Sequence, residues 1–329
     1  MPNTSFRTAV SSIPSRLGLS RVELGLSTIS KLAPLLALII LVVVGAISSS
    51  QFLSAGNLRA TLLSSAILMI IAVGQSFVIS TAGIDLSVSS VAQLAGMVVG
   101  LLFAAGAPIG LAMLGAIIAG ALAGVLNGWL VAKLKIIDFV VTLGTFSAFS
   151  GLTLLISNAN PIQVFSPTLV QIATGSVGII SYMLVIALVV AVIARILLFN
   201  TPFGTHVLAV GGNKNASDAL GLSFTRVKIG VYVISGVLAA VGGILLTARL
   251  GAAEPTAGSG YQLQSIAAAV LGGVSLFGGK GNIVGPLIGA LVLTGVVNLL
   301  TITGVPVYYQ PIAVGAVVIL AAFLRRYEK

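Results

Sequence analysis

The sequence predicts an all-α integral membrane protein with about ten transmembrane helices. Hydrophobic residues make up 58% of the 329 residues and charged residues only 7%, whereas charged residues are about 25% of a soluble domain. Apolar runs long enough to cross a bilayer follow one another along almost the whole chain. The 39 glycines also fit this class, because small residues let membrane helices approach each other closely.

We place the individual spans on apolar runs of roughly 20 residues, the length that crosses a bilayer. The third run follows Gly83-Ile84-Asp85, so we expect its helix to begin irregularly. The eighth run is short and follows a segment rich in glycine and proline, so we expect it to be broken or partly re-entrant. The ten runs are 32–48, 57–81, 86–105, 108–133, 138–157, 178–199, 226–249, 262–277, 282–302 and 305–324.

The basic residues predict how these spans are oriented. With the N-terminus in the cytoplasm, fourteen of the sixteen Lys and Arg residues fall in cytoplasmic segments, and only Arg59 and Arg249 fall outside. This is the asymmetry that the positive-inside rule describes, so the net charge of +10 indicates topology and not nucleic-acid binding. We therefore expect a cytoplasmic tail over 1–31, a membrane domain of many spans over 32–324 and a cytoplasmic tail over 325–329.

Two segments of similar sequence suggest an internal repeat. The segment from Gly120 to Asn127 in the fourth span resembles the segment from Gly289 to Asn298 in the ninth. These two spans run in opposite directions, so pairing spans 2–5 with spans 7–10 would give an inverted repeat, an arrangement common in transporters. Chance similarity among segments of Gly, Ala, Val and Leu is the alternative.

Composition excludes several classes of chemistry. With no cysteine and one histidine, the chain has no means of thiol catalysis or Cys-ligated zinc, and we predict no catalytic residue, cofactor or metal. No acid lies in mid-span, where secondary transporters place ion-coupling groups, so we expect another subunit to supply the energy. The glycines around Lys280 lack the spacing of a phosphate-binding loop and predict a tight cytoplasmic turn. A stand-alone secondary transporter of a small polar solute is the alternative, and a membrane enzyme is a poor third.

Polar residues within the spans are the candidates for a substrate pathway. A sugar is held by many neutral hydrogen bonds, which amides and hydroxyls supply. The alternative is that these groups bond between helices, and for Asp85 that it caps the third helix. The pathway candidates are Gln75, Asp85, Asn127, Thr142, Asn298, Tyr308 and Gln310. Glu254 and Tyr261, in the outer segment 250–261, are candidates for contact with an external partner.

The polar stretch 200–225 interrupts the apolar pattern. Asn213 could cap a helix of about two turns over 215–220, and Gly221 could end it. An ordinary solvated loop and a docking helix for a cytosolic partner are the two interpretations of this stretch.

A combination of short segments carries a resemblance to a known family. The segments are Val73-Gly74-Gln75, Gly83-Ile84-Asp85-Leu86-Ser87, 249–261, 266–273, 278–281 with Gly285, and Tyr308-Tyr309-Gln310. Together they resemble the ribose-type sugar permeases of ATP-binding-cassette importers, which are binding-protein-dependent permeases. The resemblance covers about 32–324. It implies a ten-span permease subunit of the bacterial inner membrane that imports a sugar or polyol. It also implies three protein partners: a cytosolic ATPase subunit, a periplasmic sugar-binding protein and a second permease copy, identical or related.

Through the same resemblance, the stretch 200–225 matches the loop that couples such permeases to their ATPase. The matching residues are Phe203, Gly204, Ala209, Gly211, Gly212, Asn213, Ala216 and Gly221. Lys214 and Asp218 reverse the signs of the charges that the family often has, and Thr205 replaces a frequent arginine. These departures bear on which ATPase fits and leave the docking interpretation in place.

Overall fold

The structure is a computed structural model in which residues 17–325 are described, with side chains described for 32–319. The predictions for 1–16 and for 326–329 lie outside the described residues. The helices are α1 Leu17–Ser48, α2 Ala55–Ser80, α3 Val88–Ala104, α4 Ile109–Ala132, α5 Asp138–Ser157, α6 Pro167–Thr174, α7 Tyr182–Phe199, α8 Pro202–Gly212, α9 Lys214–Ala219, α10 Phe224–Leu250, α11 Tyr261–Leu271, α12 Val284–Ile302 and α13 Gln310–Arg325. A 3₁₀ turn, Val307–Tyr309, precedes α13.

Six of these helices are long and apolar enough to cross a membrane: α2, α4, α5, α7, α10 and α12. Shorter apolar helices cover Leu32–Ser48, Val88–Ala104 and Val307–Ile319. The all-α membrane class is thus confirmed. The first helix starts at Leu17, inside the segment predicted as a tail.

Two predicted spans have the wrong bounds. The eighth, 262–277, is helical only over Tyr261–Leu271, because Gly273 has a φ of +97° and the chain then turns. The expected interruption is therefore real, but it ends the helix early. The sixth, 178–199, becomes helical only at Tyr182, since the residues before it form a hairpin.

Short strands lie between the helices. β1 (Ile162–Gln163) pairs antiparallel with β4 (Ala252–Ala253), which ties the segment after α5 to the end of α10. β2 (Ser176–Val177) and β3 (Ile180–Ser181) form a hairpin around Gly178, whose φ is +62°. The segment between α5 and α7 therefore has local structure, including α6.

Two central helices, α2 and α10, organise the bundle. In α2 every residue from Ser65 to Ser80 is buried, which requires neighbours on all faces of the helix. α10 packs against α3 and α4, whereas α2 packs against α11 and α12, and α2 and α10 also contact each other. α3 also contacts α5, and α11 contacts α13.

The contact between α4 and α10 is close because glycines line it. A Cβ on Gly124 would overlap the Tyr232 carbonyl oxygen, and a Cβ on Gly120 would overlap that of Gly236. Backbone-to-backbone approach of this kind is typical of membrane helix pairs. It brings the polar side chains near one end of α4 and α10 within reach of the α2–α3 turn.

Candidate functional site

The α2–α3 turn carries a buried carboxylate. Asp85 is 2% exposed. Its Oδ1 accepts hydrogen bonds from the Ser87 N–H at 3.0 Å and the Ser87 hydroxyl at 2.6 Å. Its Oδ2 accepts from the Ser235 hydroxyl of α10 at 2.8 Å. α3 begins directly after Ser87, whose own side chain makes no capping hydrogen bond. By accepting from the Ser87 N–H, Asp85 holds the start of this helix, as the capping interpretation expects. Asp85 also joins the turn to α10.

The surroundings of Asp85 act on its charge in opposite directions. Burial raises the pKa of the Asp85 carboxyl above its ordinary value, and the hydrogen bonds from Ser87 and Ser235 offset this only in part. The charged form of Asp85 is therefore costly in this site and depends on those donors.

Three other predicted pathway residues meet at the same turn. Asn127 of α4 donates to the Ser87 hydroxyl at 2.8 Å, and Thr142 of α5 donates to the Ile84 carbonyl at 3.2 Å. With its amide oriented to satisfy both ends, Gln75 bonds to the N–H and C=O of Asp85, each at 3.2 Å. These side chains form hydrogen bonds between helices, which is the alternative stated for them above.

An ion pair adjoins the turn. Lys228 Nζ of α10 lies 2.7 Å from Asp138 Oδ2 at the start of α5, with the two side chains 3% and 23% exposed. The Tyr232 hydroxyl donates to the same carboxylate oxygen at 2.9 Å. From the sequence, Asp138 is only a residue at the start of a predicted span. The available signal was an acid at the start of one span and a base near the start of another. We call these residues together the polar cluster: Gln75, Asp85, Ser87, Asn127, Asp138, Thr142, Lys228, Tyr232 and Ser235.

The stretch 200–225 forms two helices. Asn213 caps α9, with its Oδ1 accepting from the Ala216 N–H at 3.0 Å, and Gly221 follows with a φ of +76°. The predicted cap and stop are therefore confirmed. The preceding helix, α8, was not predicted. In α9 every residue but Ser217 is exposed.

Gly211 and Gly212 lie at the end of α8. A Cβ on Gly211 would overlap the Ser80 carbonyl oxygen and lie 2.8 Å from the Gly279 nitrogen. The Gly279 N–H itself donates to the Ser80 carbonyl at 3.0 Å. We call this three-way contact of α8, the end of α2 and the α11–α12 turn the glycine junction; its glycines are Gly211, Gly278 and Gly279.

Other residues of the stretch 200–225 also pack this stretch against the helix bundle. A Cβ on Gly204 would overlap the Leu198 carbonyl oxygen. The Phe203 ring lies against Gly230 of α10, where a Cβ would come within 2.7 Å of it. Lys214 lies 4.2 Å from the centre of the Phe224 ring. Ala209 is half-buried, whereas Ala216 and Asp218 are exposed on α9.

The ends of α2 and α10 that lie away from the polar cluster border a cleft. This cleft of about 370 Å³ lies between α2, α10, α11 and α12. Two residues named from the sequence, Tyr261 and Asn298, line it. Asn298 exchanges two hydrogen bonds with Asn57 of α2, at 2.8 and 3.0 Å. Glu254 lies in the neighbouring loop and accepts from the Thr256 hydroxyl at 3.1 Å.

The last two predicted pathway residues lie apart from the polar cluster. Tyr308 is 70% exposed and its ring contacts that of Tyr309. Gln310 donates to the Thr301 hydroxyl at 3.1 Å, at the edge of the cleft. The seven predicted pathway residues are thus divided between two ends of the molecule.

Comparison with known proteins adds to this geometry. Residues 57–322 match the family model described as "Branched-chain amino acid transport system / permease component". The chain is 39% identical to the D-allose transport system permease protein of Escherichia coli over 88% of this chain and 89% of that protein. It is 40% identical to the ribose import permease protein of Bacillus subtilis over 90% and 92%. It is 34% identical to the L-arabinose ABC transporter permease protein of Azospirillum brasilense over 85% and 82%. No solved structure matches the chain significantly.

Proposed function

The chain belongs to the family of transport-system permease components, and from that premise we propose that it is the transmembrane subunit of an ATP-driven importer of a sugar or polyol. The resemblance stated from the sequence is confirmed by that family and by the relatives. Membership makes the chain a multi-pass membrane permease and not an enzyme. It also implies an ATPase and a substrate-binding protein as partners.

The observation that supports a sugar is the similarity, at 34–40% identity and over most of each chain, to permeases of allose, ribose and arabinose import. The family description, by contrast, names branched-chain amino acids. Uptake assays in proteoliposomes that contain the permease, its ATPase and its binding protein would separate the two. We expect ATP-dependent uptake of a sugar and none of L-leucine; uptake of L-leucine alone would refute a sugar as substrate.

The same assay tests the secondary-transporter alternative. In the described residues, the buried acid Asp85 lies in a turn and Asp138 at a helix start, whereas ion coupling in secondary transporters uses groups within the bilayer. Omitting the ATPase should therefore abolish uptake. Uptake driven by an ion gradient without the ATPase would favour the alternative.

We propose ten spans. The six long helices, the three shorter apolar helices and α11 together make that number. α11 has 11 residues, about 16 Å at 1.5 Å per residue, so it crosses roughly half of the hydrocarbon core. The matching contacts of α2 with α11 and α12, and of α10 with α3 and α4, support an inverted repeat of spans 2–5 and 7–10.

We further propose that both termini are cytoplasmic in the bacterial inner membrane, with 1–31 and 325–329 as tails. The distribution of basic residues supports this orientation. It places the polar cluster and α9 at the cytoplasmic end and the cleft at the outer end. Single cysteines introduced at Ser5 and Lys329 should resist an impermeant thiol reagent added to intact cells. Labelling of either one would contradict the ten-span topology.

α9 is the proposed docking helix for the ATPase. Its exposure leaves it free for a partner, and the glycine junction fixes its neighbour α8 to the end of α2. Two large apolar side chains are exposed beside this surface, Leu220 at 79% and Phe277 at 85%. An exposed apolar surface is typical of a site that a partner covers.

A second permease copy is proposed to pack against α5. Its exposed small residues Gly144, Ser147, Ala148 and Gly151 follow helical spacing along one face, which suits close packing of membrane helices. A single cysteine at Ser147 should form an oxidant-induced crosslinked dimer. A cysteine at Val189, which is 52% exposed on α7, is the control and should not. Failure of Ser147→Cys to crosslink would count against this interface.

For the substrate route and the binding protein, the residues proposed from the sequence keep those roles as proposals. Asn298, Gln310 and Tyr308 would contribute near the outer end, and Gln75, Asp85, Asn127 and Thr142 near the cytoplasmic end. Glu254 and Tyr261 would meet the binding protein, because they belong to the outer segment that includes β4 and the start of α11.

A further inference from the structure

The cleft has the size and position of a binding site. Its volume of about 370 Å³ lies within the range of about 300–1,000 Å³ that small-molecule sites occupy. α2 forms one wall, and α10, α11 and α12 form the others. With the repeat proposed above, these walls come from different repeats, and substrate sites of transporters commonly lie at such an interface.

Several polar side chains of the cleft make no hydrogen bond to another described residue. Among the side chains described for 32–319, those of Arg249, Gln264 and Thr294 make no hydrogen bond to another residue. The Thr61 hydroxyl, by contrast, donates to the Asn57 carbonyl of its own helix. The free amide, guanidinium and hydroxyl groups offer several donors and acceptors to a ligand. The Tyr261 ring adds an apolar face beside them.

The charges of the cleft select among ligand classes. An α-amino acid presents an ammonium and a carboxylate, and an acidic side chain is the strongest partner for the ammonium. None of the residues that line the cleft is acidic. A neutral polyol needs only hydrogen bonds of the kind that amides, hydroxyls and one guanidinium provide.

We propose that this cleft is a substrate-accepting site for a sugar or polyol within a single permease subunit, with Gln264, Thr294 and Arg249 as its hydrogen-bonding residues. The site rests on the proposed function and on the orientation that places these helix ends outside. It receives the sugar before the helices rearrange, ahead of the polar cluster at the other end.

Cysteine accessibility tests the site directly, because the chain has no native cysteine. The full permease carrying Gln264→Cys is labelled with a membrane-impermeant methanethiosulfonate reagent added to intact cells. We expect labelling, and we expect D-ribose, D-allose or L-arabinose, tested separately in the millimolar range, to slow it. L-Leucine should not slow it.

Two neighbouring positions serve as controls. Ser265 is fully buried beside Gln264, so Ser265→Cys should stay unlabelled. Ser259 is exposed in the adjoining loop and does not line the cleft, so Ser259→Cys should label without protection by sugar. Labelling at Ser259 with none at Gln264, or labelling at Gln264 that no sugar slows, would overturn the site while leaving the importer function in place. No labelling at Ser259 would overturn the proposed orientation, and the outer site with it.

Uptake supplies a second readout. Gln264→Leu and Thr294→Val each remove hydrogen-bonding capacity and should lower sugar uptake at subsaturating concentration by about three- to tenfold. Gln262→Leu makes the same change on the same helix outside the cleft and should have no comparable effect. ATPase co-purification should be equal in all three variants. Wild-type uptake by Gln264→Leu and Thr294→Val would refute the site, whereas absence of sugar uptake by the wild-type importer would refute the proposed function itself.

Discussion

The two ends of α2 and α10 are built in opposite ways. At one end, Asp85 and the pair Lys228–Asp138 are engaged by hydrogen bonds, and α8 touches α2 through glycine. At the other end lies a cleft in which Arg249, Gln264 and Thr294 make no side-chain hydrogen bond to another described residue. Ligand binding needs free polar groups, whereas transmission of a movement needs a rigid contact. The two requirements are met at different ends of the same two helices.

The neighbours of α2 and α10 repeat this contrast. α10 lies against α4 with glycines in close contact, as at Gly120 and Gly124. α2 lies against α11 and α12 with the cleft between them. The two central helices therefore have similar neighbours, but the interface of α10 with α4 is closed and that of α2 with α11 and α12 is open. The glycines explain the difference, because each removed side chain lets two backbones approach.

The largest loss of stability is expected when the ion pair Lys228–Asp138 is broken. This pair lies at the end of α2 and α10 that carries the polar cluster, which we call the closed end; the end with the cleft is the open end. Lys228→Met leaves Asp138 without its counter-ion, and the Tyr232 hydroxyl is then its one side-chain donor among the described residues. Removing one partner of a buried pair costs about 3–5 kcal/mol. Since the Asp138 side chain is 23% exposed, we expect a loss near the lower end of that range, seen as a lower melting temperature of the purified permease.

A double substitution provides the control for the pair. Asp138→Asn combined with Lys228→Met removes both charges, so it should recover most of the lost stability. A Lys228→Met protein that melts at the wild-type temperature would contradict the rigidity assigned to the closed end. The cleft variants Gln264→Leu and Thr294→Val should melt close to wild type, because they break no bond within the protein.

The glycine junction should give the next largest effect. Gly211→Ala places a methyl group against the Ser80 carbonyl and the Gly279 nitrogen. Because both neighbours are backbone, we expect a cost of about 1–3 kcal/mol and reduced ATP-driven uptake. Gly212→Ala is the matched control, since its Cβ would meet only Gly279 Cα at 3.6 Å, an ordinary contact. Equal uptake by the two variants would argue against coupling through this junction.

A substitution in the exposed helix α9 should affect docking of the ATPase without affecting folding. Ala216→Arg adds a large charged side chain to an exposed helix position, so the permease should insert and melt as wild type. ATPase association should weaken by about tenfold, about 1.4 kcal/mol. Thr205→Arg adds the same side chain at an exposed position of α8, where the family often has arginine, and should be tolerated. Normal co-purification of the ATPase with Ala216→Arg would favour the solvated-loop interpretation.

Much of the fold could be predicted because apolar runs directly indicate membrane helices. Helix ends were harder: α11 stops at Leu271 because of local glycine geometry, which hydropathy does not reveal. α8 was missed because Pro202, Gly204, Gly211 and Gly212 favour a loop in isolation. Its glycines are needed for contact with other segments, and tertiary packing overrides their weak helix propensity.

Four members of the polar cluster could be predicted from the sequence, Gln75, Asp85, Asn127 and Thr142, but the residues to which they bond could not. Asn127 and Asn298 have similar sequence surroundings, yet Asn127 bonds to Ser87 and Asn298 to Asn57, at opposite ends of the bundle. Asp138 and Lys228 are 90 residues apart in sequence. A polar residue in a span must find a partner, and only the packing of the helices decides which one.

The smallest effect is expected from a substitution in the loop beside the cleft, at the open end. Glu254 lies in the loop beside the cleft, and its only described side-chain hydrogen bond is from neighbouring Thr256, so Glu254→Ala should leave the melting temperature unchanged. If this loop meets the binding protein, the lost charge is worth about 0–1 kcal/mol, up to about fivefold in the concentration of binding protein that half-maximally stimulates ATPase activity. Because exposed charges are screened, the difference from wild type should shrink as salt is raised. The neighbouring Thr256→Ala tests whether the Thr256 hydrogen bond to Glu254 matters, and it should have less effect than the loss of the charge. A Glu254→Ala importer with unchanged stimulation at low salt would remove Glu254 from the proposed contact, and the cleft would then be the one site assigned to the open end.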